Sequence, residues 1–503
     1  MSYNNSFDVI IVGLGPVGSM LANLLGKFNL KILVLEKKKE IHPLPRAIHF
    51  DGEVMRIFQN AGLSTEIKKI ARASHKGMHF LGPDNKTLMV RKGFKGIGDQ
   101  GWENNWYFFQ PDLEKILRKG LQRFSNVTIR LGEEVTDIAN NKLSTQVTTK
   151  IDMSEEKKSY ESIWVVGCDG ANSMVSKRIS SEIEDFGLNE KWLVVDLKIK
   201  KGSVRAASLP RYTIQHCNPK RPMTRCFINS SRRRWEIMVL PDDKIEEIVV
   251  EKFIWSILNP WLTPADAEIE RAQIYTFHSI IKKYWKTDHI LLAGDSAHQS
   301  PPFLGQGLCA GIRDVASLAW RLGLVIEGKA CERTLDSYAN ERKSHVRKFI
   351  DLAVNCGKTI KSGDPDLIAA FFNQRKIKEK YIFDFPKPQL GMGDWIKGNS
   401  PLGQISPQFL DDDGFLSDDN SLYQFILFKK FKMDIEFSET YEKLINYWGV
   451  NVIQASSVIE KWLDSLNINA ALVRPDRYIY GIAHDVEGVI SILKHLHRNM
   501  IRK

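Results

Sequence analysis

Apolar residues recur along this chain with different periods, and each period predicts a different element. Short runs with no polar interruption, at residues 8–12 (DVIIV), 31–35, 163–166 and 290–293, read as buried parallel strands, because apolar side chains occupy both faces. Two stretches follow the helical period instead. Met20, Leu21, Leu24 and Leu25 share one helix face, and residues 310–324 form a longer amphipathic helix. Between 187 and 280 the pattern changes to short alternating strands, at 192–198, 212–216, 223–229 and 235–240, as in a sheet that roofs a pocket. A stretch rich in Gly and Pro before residue 404 (DFPKPQLGMGDWIKGNSPLG) marks a domain boundary. Strand and helix alternate again after it.

Composition narrows the class. A chain of 503 residues exceeds one ordinary core, so two or three domains are expected. With 43% hydrophobic and 26% charged residues it reads as a globular enzyme. No apolar run is long enough to span a bilayer and the first residues carry no signal pattern, so a cytoplasmic location is expected. Six scattered cysteines without a C-x-x-C pair argue against a disulfide framework or a metal site. The net charge is +11, but Lys and Arg are interleaved with acids along the chain. No nucleic-acid partner is expected; a positive field suits anionic cofactors and substrates.

The chemistry begins after the first strand. Gly13-Leu14-Gly15-Pro16-Val17-Gly18 links it to a helix, and the second strand ends in Glu36 and Lys37. This is the order of a dinucleotide-binding βαβ unit. Gly13 permits the tight turn, Gly15 lets backbone N–H groups approach a pyrophosphate, and Gly18 lets helix and strand pack closely. Glu36 would accept from ribose hydroxyls. The motif alone leaves FAD and NAD open. Two later turns, Gly167-Cys168-Asp169-Gly170 and Gly294-Asp295-Ser296, each follow a strand, and the second leads to Pro301-Pro302-Phe303-Leu304-Gly305-Gln306-Gly307-Leu308.

With these three motifs in this order, the chain resembles the group A flavoprotein monooxygenases of the p-hydroxybenzoate hydroxylase fold. The stretches PRAIHFDGEVMRIFQNAGL (45–63) and GDSAHQSPPFLGQGLCAGIRDVASLAW look closest to the 3-(3-hydroxyphenyl)propionate hydroxylase branch, beside phenol hydroxylases and polyketide ring hydroxylases. The resemblance implies an α/β fold. It comprises a Rossmann-like FAD-binding domain of the glutathione-reductase type (1–186, with an excursion into the substrate domain near 75–106, and 284–400 with a helical linker), a β-sheet substrate domain (187–283) and a thioredoxin-like domain (401–503).

The last of these rests on Leu410-Asp411-Asp412-Asp413-Gly414-Phe415 and the ending Ala471 to Tyr478, and it contains no cysteine. The resemblance further implies non-covalent FAD, with Arg46 near the pyrophosphate, Gln110 and Val135 on the FAD side, and Asp169 and Gly170 serving both FAD and the reductant. Asp295, after Gly294, would take a ribityl hydroxyl, and Pro302 and Gly305 through Leu308 would line the flavin ring. NADH or NADPH would reduce FAD, O2 would add at flavin C4a, and the hydroperoxide would hydroxylate a phenolic ring. Other outcomes stay open: hydroxylation, epoxidation or inactivation of a polycyclic substrate, or FAD binding without turnover. Monomer and homodimer are both open.

One departure is that Ser176, followed by Lys177 and Arg178, stands where the family carries a basic residue. A base or hydrogen-bond acceptor beside the phenol is required. His216 and Tyr212 are candidates, with Arg225 as a partner for a substrate carboxylate.

Overall fold

The N-terminal apolar run becomes the strand Ser6–Val12, buried without interruption from Val9 to Val12. Its flanking strands, Ile32–Glu36 and Lys157–Gly167, run parallel to it, and Val127–Leu131 and Ile290–Leu292 extend the same parallel sheet on either side. The helix Gly307–Ile326 lies along Pro16–Leu25, with Gly311 against Val17 and Gly323 against Phe28. Small residues are needed there because a β-carbon would come within 2.7 Å of the Val17 side chain and 2.5 Å of the Phe28 ring. The computed structural model describes residues 5–501 apart from 152–153, 155, 181, 370–374, 378–379, 385, 411–413, 420, 422 and 431–438; the acidic run Asp411, Asp412 and Asp413 lies outside the described residues.

A second sheet of ten strands stands over the first. Its order is 298–299, 267–282, 183–199, 232–238, 223–229, 214–216, 78–81, 87–91, 380–383 and 375–377. Alternation sorts its side chains. Leu193, Val195, Leu197, Trp235 and Ile237 point to one face and form a core with Ile254 and Leu258 of the helix Glu251–Leu258. Asp196, Arg234 and Gln215 point to the other face, toward the first sheet. There Arg234 donates to the Arg46 carbonyl at 2.7 Å and Gln215 to the Phe303 carbonyl at 3.0 Å.

The strands differ from expectation in extent. Ile183–Ile199 is longer than 192–198, Arg232–Met238 begins before residue 235, and Ile214–His216 is shorter than 212–216. Residues 284–400 were expected beside FAD or in a helical linker. Lys380–Phe383 instead pairs in parallel with Thr87–Arg91, through Tyr381 opposite Met89.

The last hundred residues form a four-stranded sheet of order 451–454, 426–429, 470–473, 479–483, with the first two strands parallel and the others antiparallel. The helices Glu439–Trp448, Ser457–Ser465 and Val486–Ile501 accompany it. Buried ions join it to the rest. Arg474 bonds Glu341 through both carboxylate oxygens at 2.9 Å, and Arg321 reaches Glu341 at 2.8 Å and Asp394 at 3.0 Å. Asp418 sits between Arg56 (2.8 Å) and Arg477 (2.7 Å). No helix among the described residues is long and apolar enough to cross a membrane.

Candidate cofactor and substrate site

Register brings the three sequence motifs to one edge. Val12 is level with Gly167, and Gly167 with Leu292, so Gly13, Asp169 and Gly294 follow side by side at the C-terminal ends of adjacent parallel strands. Ligands of open α/β sheets bind at that edge. Gly13 has a φ of +100°, and a side chain on it would come within 2.6 Å of the Cys168 carbonyl oxygen. Val17 packs against Gly294, which ties the first motif to the third. Gly15, Gly170 and Gly307 all face open space, with no protein atom within 4 Å of an added β-carbon. The helices Pro16–Leu25, with Pro16 in its first turn, and Gly307–Ile326 start without a side-chain cap or an acid in the first turn. Their N-terminal N–H groups and dipoles favour an anion.

Glu36 accepts from the Leu14 N–H and the Lys38 N–H, both at 2.8 Å, and an ionised carboxylate keeps further lone pairs for a sugar. Lys37 is exposed beside it, and Val135 is buried opposite Thr149. Gln110 has an architectural part. Its Oε1 accepts from the backbone of Arg46 (2.8 Å) and Ala47 (2.7 Å), and its Nε2 donates to Glu114 at 2.8 Å, so it shapes the turn that presents the exposed Arg46.

Asp169 accepts the Met174 and Val175 N–H groups on Oδ2 at 2.7 and 3.2 Å, whereas its Oδ1 is buried with no partner among the described residues. Burial pushes the Asp169 carboxyl up. Asp295 is open to solvent yet surrounded by protein, as on a cleft wall; crowding pushes its carboxyl up against the pull of His298 and Arg46. Ser176 is buried and its N–H donates to Ser173 Oγ at 2.8 Å, Lys177 is exposed, and Arg178 pairs with Asp137. The position where the family pattern has a cation is therefore a buried serine in a helix first turn capped by Ser173.

Pro302, Gly305, Gly307 and Leu308 are partly open, and Gln306 is buried. The Gln306 amide is held inward by Arg313 (3.0 Å) and Asp51 (3.3 Å), and Arg313 also pairs with Asp51 at 2.6 Å and Glu53 at 2.7 Å. Sequence reasoning missed these supports, and it missed Asp314. Asp314 accepts the Gly294 N–H at 3.0 Å, faces His298 Nε2 at 2.7 Å, and takes Arg342 at 2.9 Å on its other oxygen.

Facing the Gly305 turn is another residue the sequence did not single out. His49, 7% exposed, points Nε2 at Asn105 Oδ1 (3.2 Å) and Nδ1 at the Gly305 carbonyl (3.5 Å). Arg91 donates to that same Asn105 oxygen at 2.5 Å. A guanidinium only donates, so the shared atom is an acceptor and His49 Nε2 carries the hydrogen. Burial, then the charge of Arg91, lower the His49 pKa to about 4, so the ring is neutral at pH 7. Its Nδ1 is then a lone pair beside a carbonyl that cannot satisfy it.

His216, Tyr212 and Arg225 lie elsewhere. Gln215 points to the first sheet, so His216 points away from it, and Arg225, level with Trp235, shares that outer face. Tyr212 precedes the strand and lies tilted against the His79 ring at 4.6 Å.

FAD fits this edge. The open space at Gly15, Gly170 and Gly307, the unpartnered Asp169 Oδ1 and the two uncapped helix starts suit a long dianionic dinucleotide. The family described as FAD binding domain matches residues 6–353. A relative from Rhodococcus jostii, named "Probable NADH-specific resorcinol 4-hydroxylase", is 31% identical over 97% of this chain and 94% of its own length. A 3-(3-hydroxy-phenyl)propionate/3-hydroxycinnamic acid hydroxylase from Escherichia coli is 33% identical over 71% of this chain and 63% of its own length. In fold, the chain is similar to the flavin-dependent monooxygenase PieE solved with FAD and substrate, with a TM-score of 0.81, 16% identity and 99% of both chains covered. The chain therefore belongs to the FAD binding domain family and takes FAD as its cofactor.

Proposed function

We propose that this FAD-dependent enzyme is a monooxygenase that hydroxylates a small phenol, consuming NADH and O2 and releasing NAD+ and water. FAD, once bound, supplies the redox and oxygen-activating chemistry. The protein positions the ring and handles its proton. A phenol becomes a better nucleophile as its hydroxyl proton is drawn away, and His49 Nδ1 accepts that hydrogen bond at the Gly305 turn. Arg91, close enough to depress His49, favours the phenolate over the phenol by its charge. The observation that carries the reading is this neutral acceptor beside the cofactor edge, in a chain aligned over 97% of its length with a relative named for resorcinol hydroxylation.

Purified protein is mixed with NADH or NADPH, with and without resorcinol, 3-(3-hydroxyphenyl)propionate and a non-phenolic analogue. A phenol is expected to accelerate NADH oxidation and gain one oxygen. His49→Gln is expected to lower kcat about 100-fold or more with a smaller change in KM. The wild-type kcat/KM is expected to fall as pH drops toward 4, where His49 takes a proton, and the variant to lose that limb. An unchanged kcat in the variant removes His49 from the reaction. Tight FAD with no stimulation by any phenol moves the substrate to polycyclic compounds, or turnover out of the reading.

We also propose the domain division 1–186 with 284–400, 187–283, and 401–503, with 380–383 reassigned to the substrate sheet. The alternation of strands and helices after residue 425 supports a thioredoxin-like fold, and without a cysteine that domain serves as a clamp rather than in dithiol exchange. A cytoplasmic monomer or homodimer completes the proposal.

A further inference from the structure

The outer face of the ten-stranded sheet gathers cations beside the core that it forms with the helix Glu251–Leu258. Arg225 is 7% exposed, and its guanidinium has no hydrogen bond or ion pair among the described residues; it lies 5.4 Å over the Trp261 ring. Cross-strand pairing sets Arg225 opposite Trp235, and Phe227, two residues along, opposite Arg233. Arg233 is 3% exposed, donates Nη1 to the Asn229 carbonyl and to the Arg232 carbonyl (3.0 Å), and sits 4.6 Å over the Phe227 ring, with the Arg72 guanidinium 6.0 Å from that same ring. The His216 ring is 5.2 Å from Trp261. Three buried nitrogens here, His216 Nε2, Arg233 Nε and Trp235 Nε1, have no partner among the described residues.

The charges acting on Arg233 are those of Arg211, Arg225 and Arg72, and all push it the same way. Burial lowers both Arg225 and Arg233 to about 10, and burial with the Arg225 charge lowers His216 to about 4. A buried guanidinium without a counter-charge destabilises a fold, and further buried polar nitrogens without a partner compound the cost. An acceptor-only ligand removes both penalties, and the planar guanidinium fork matches carboxylate and phosphate oxygens.

We infer that this outer face carries a second binding site, separate from the cofactor edge, in which Arg225, Arg233 and His216 hold an oxyanion that enters past the exposed Arg72 and Arg211. The shared ligand chemistry is a phosphate or carboxylate group. The inference uses no step of the proposed hydroxylation.

The test uses full-length, FAD-loaded protein, with tryptophan fluorescence and thermal unfolding followed during titration with inorganic pyrophosphate, NAD+ and benzoate. Saturable binding of at least one probe is expected, and Arg225→Met and Arg233→Met are each expected to weaken it about tenfold or more. Without ligand, Arg225→Met is expected to keep or raise Tm, because it removes an uncompensated buried charge. Binding of pyrophosphate and NAD+ but not benzoate assigns the site to phosphate esters, and the reverse assigns it to organic acids. No saturable binding by any probe overturns the inference. So does an Arg225→Met protein that loses stability without ligand yet titrates like the wild type.

Discussion

A β-carbon placed on Gly18 would lie 2.0 Å from the Gly13 carbonyl oxygen, whereas one placed on Gly15 would meet no protein atom within 4 Å. The two glycines therefore serve different partners: Gly18 makes room for the protein's own backbone and Gly15 for a ligand. Gly18→Ala is expected to fail at folding, with little soluble yellow protein. Gly15→Ala is expected to fold with stability within about 1 kcal/mol of wild type, since its φ of −70° suits alanine and the lost cap is offset by a stiffer unfolded chain. Its FAD affinity is expected to fall more than about tenfold, because the methyl group occupies the space through which backbone N–H groups reach the pyrophosphate. Urea unfolding of the apoprotein and a flavin fluorescence titration separate the two effects. A Gly15→Ala protein with unchanged FAD affinity would place the pyrophosphate elsewhere.

Among the elements, the helix Gly307–Ile326 does more than present its N-terminus. Through Asp314 it grips the Gly294 turn and His298 on one oxygen and Arg342 on the other, all buried. His298 and Arg342 hold the Asp314 carboxyl below its ordinary range despite burial. Asp314→Asn leaves Arg342 without its counter-charge, and about 3 kcal/mol of stability is expected to go with it. FAD affinity is expected to fall as well, because Asp295 rides on the loosened turn. Urea midpoints and FAD titration check both, and a stable variant with weak FAD would leave Asp314 only its positioning part.

Such support is also where sequence reading stops. Gly13, Asp169 and Gly294 could be found because each motif is a run of consecutive residues whose spacing carries its chemistry. Asp314 reaches back 20 residues to Gly294, Lys380–Phe383 finds its sheet partner at Thr87–Arg91, and His49 meets Gly305 256 residues further along the chain. No local periodicity records those contacts. The outer-face site shows the reverse case: His216 and Arg225 were noticed together, but a strand's two-residue period turns both away from the side where the phenol was expected.

At the scale of the whole molecule, the C-terminal sheet shares one apolar core with the rest and is joined to it by buried charge as well. Arg321 and Arg474 share Glu341, Asp394 and Asp476, none of them more than 6% exposed, and the two cations face three carboxylates. Burial and the neighbouring Glu341 push the Asp394 carboxyl up, toward charge balance. Ion clusters of this kind are poor sources of stability but severe penalties when one member is removed, since the rest stay buried without a partner. Their members come from both sides of the boundary near residue 400: Arg321, Glu341 and Asp394 before it, Arg474 and Asp476 after it. A second line of bonds runs from Tyr478 to Glu53 at 3.2 Å and through Arg313 to Gln306, at the start of the cofactor-edge helix.

The two parts should therefore unfold as one. In urea, loss of helical circular dichroism and release of FAD fluorescence are expected to coincide. Arg474→Met leaves three carboxylates on one guanidinium and is expected to lower both midpoints together, by about 3 kcal/mol or more. If the wild type releases FAD in a separate, earlier transition, the cofactor edge is held by its own sheet alone. The clamp would then be an attachment rather than part of the site.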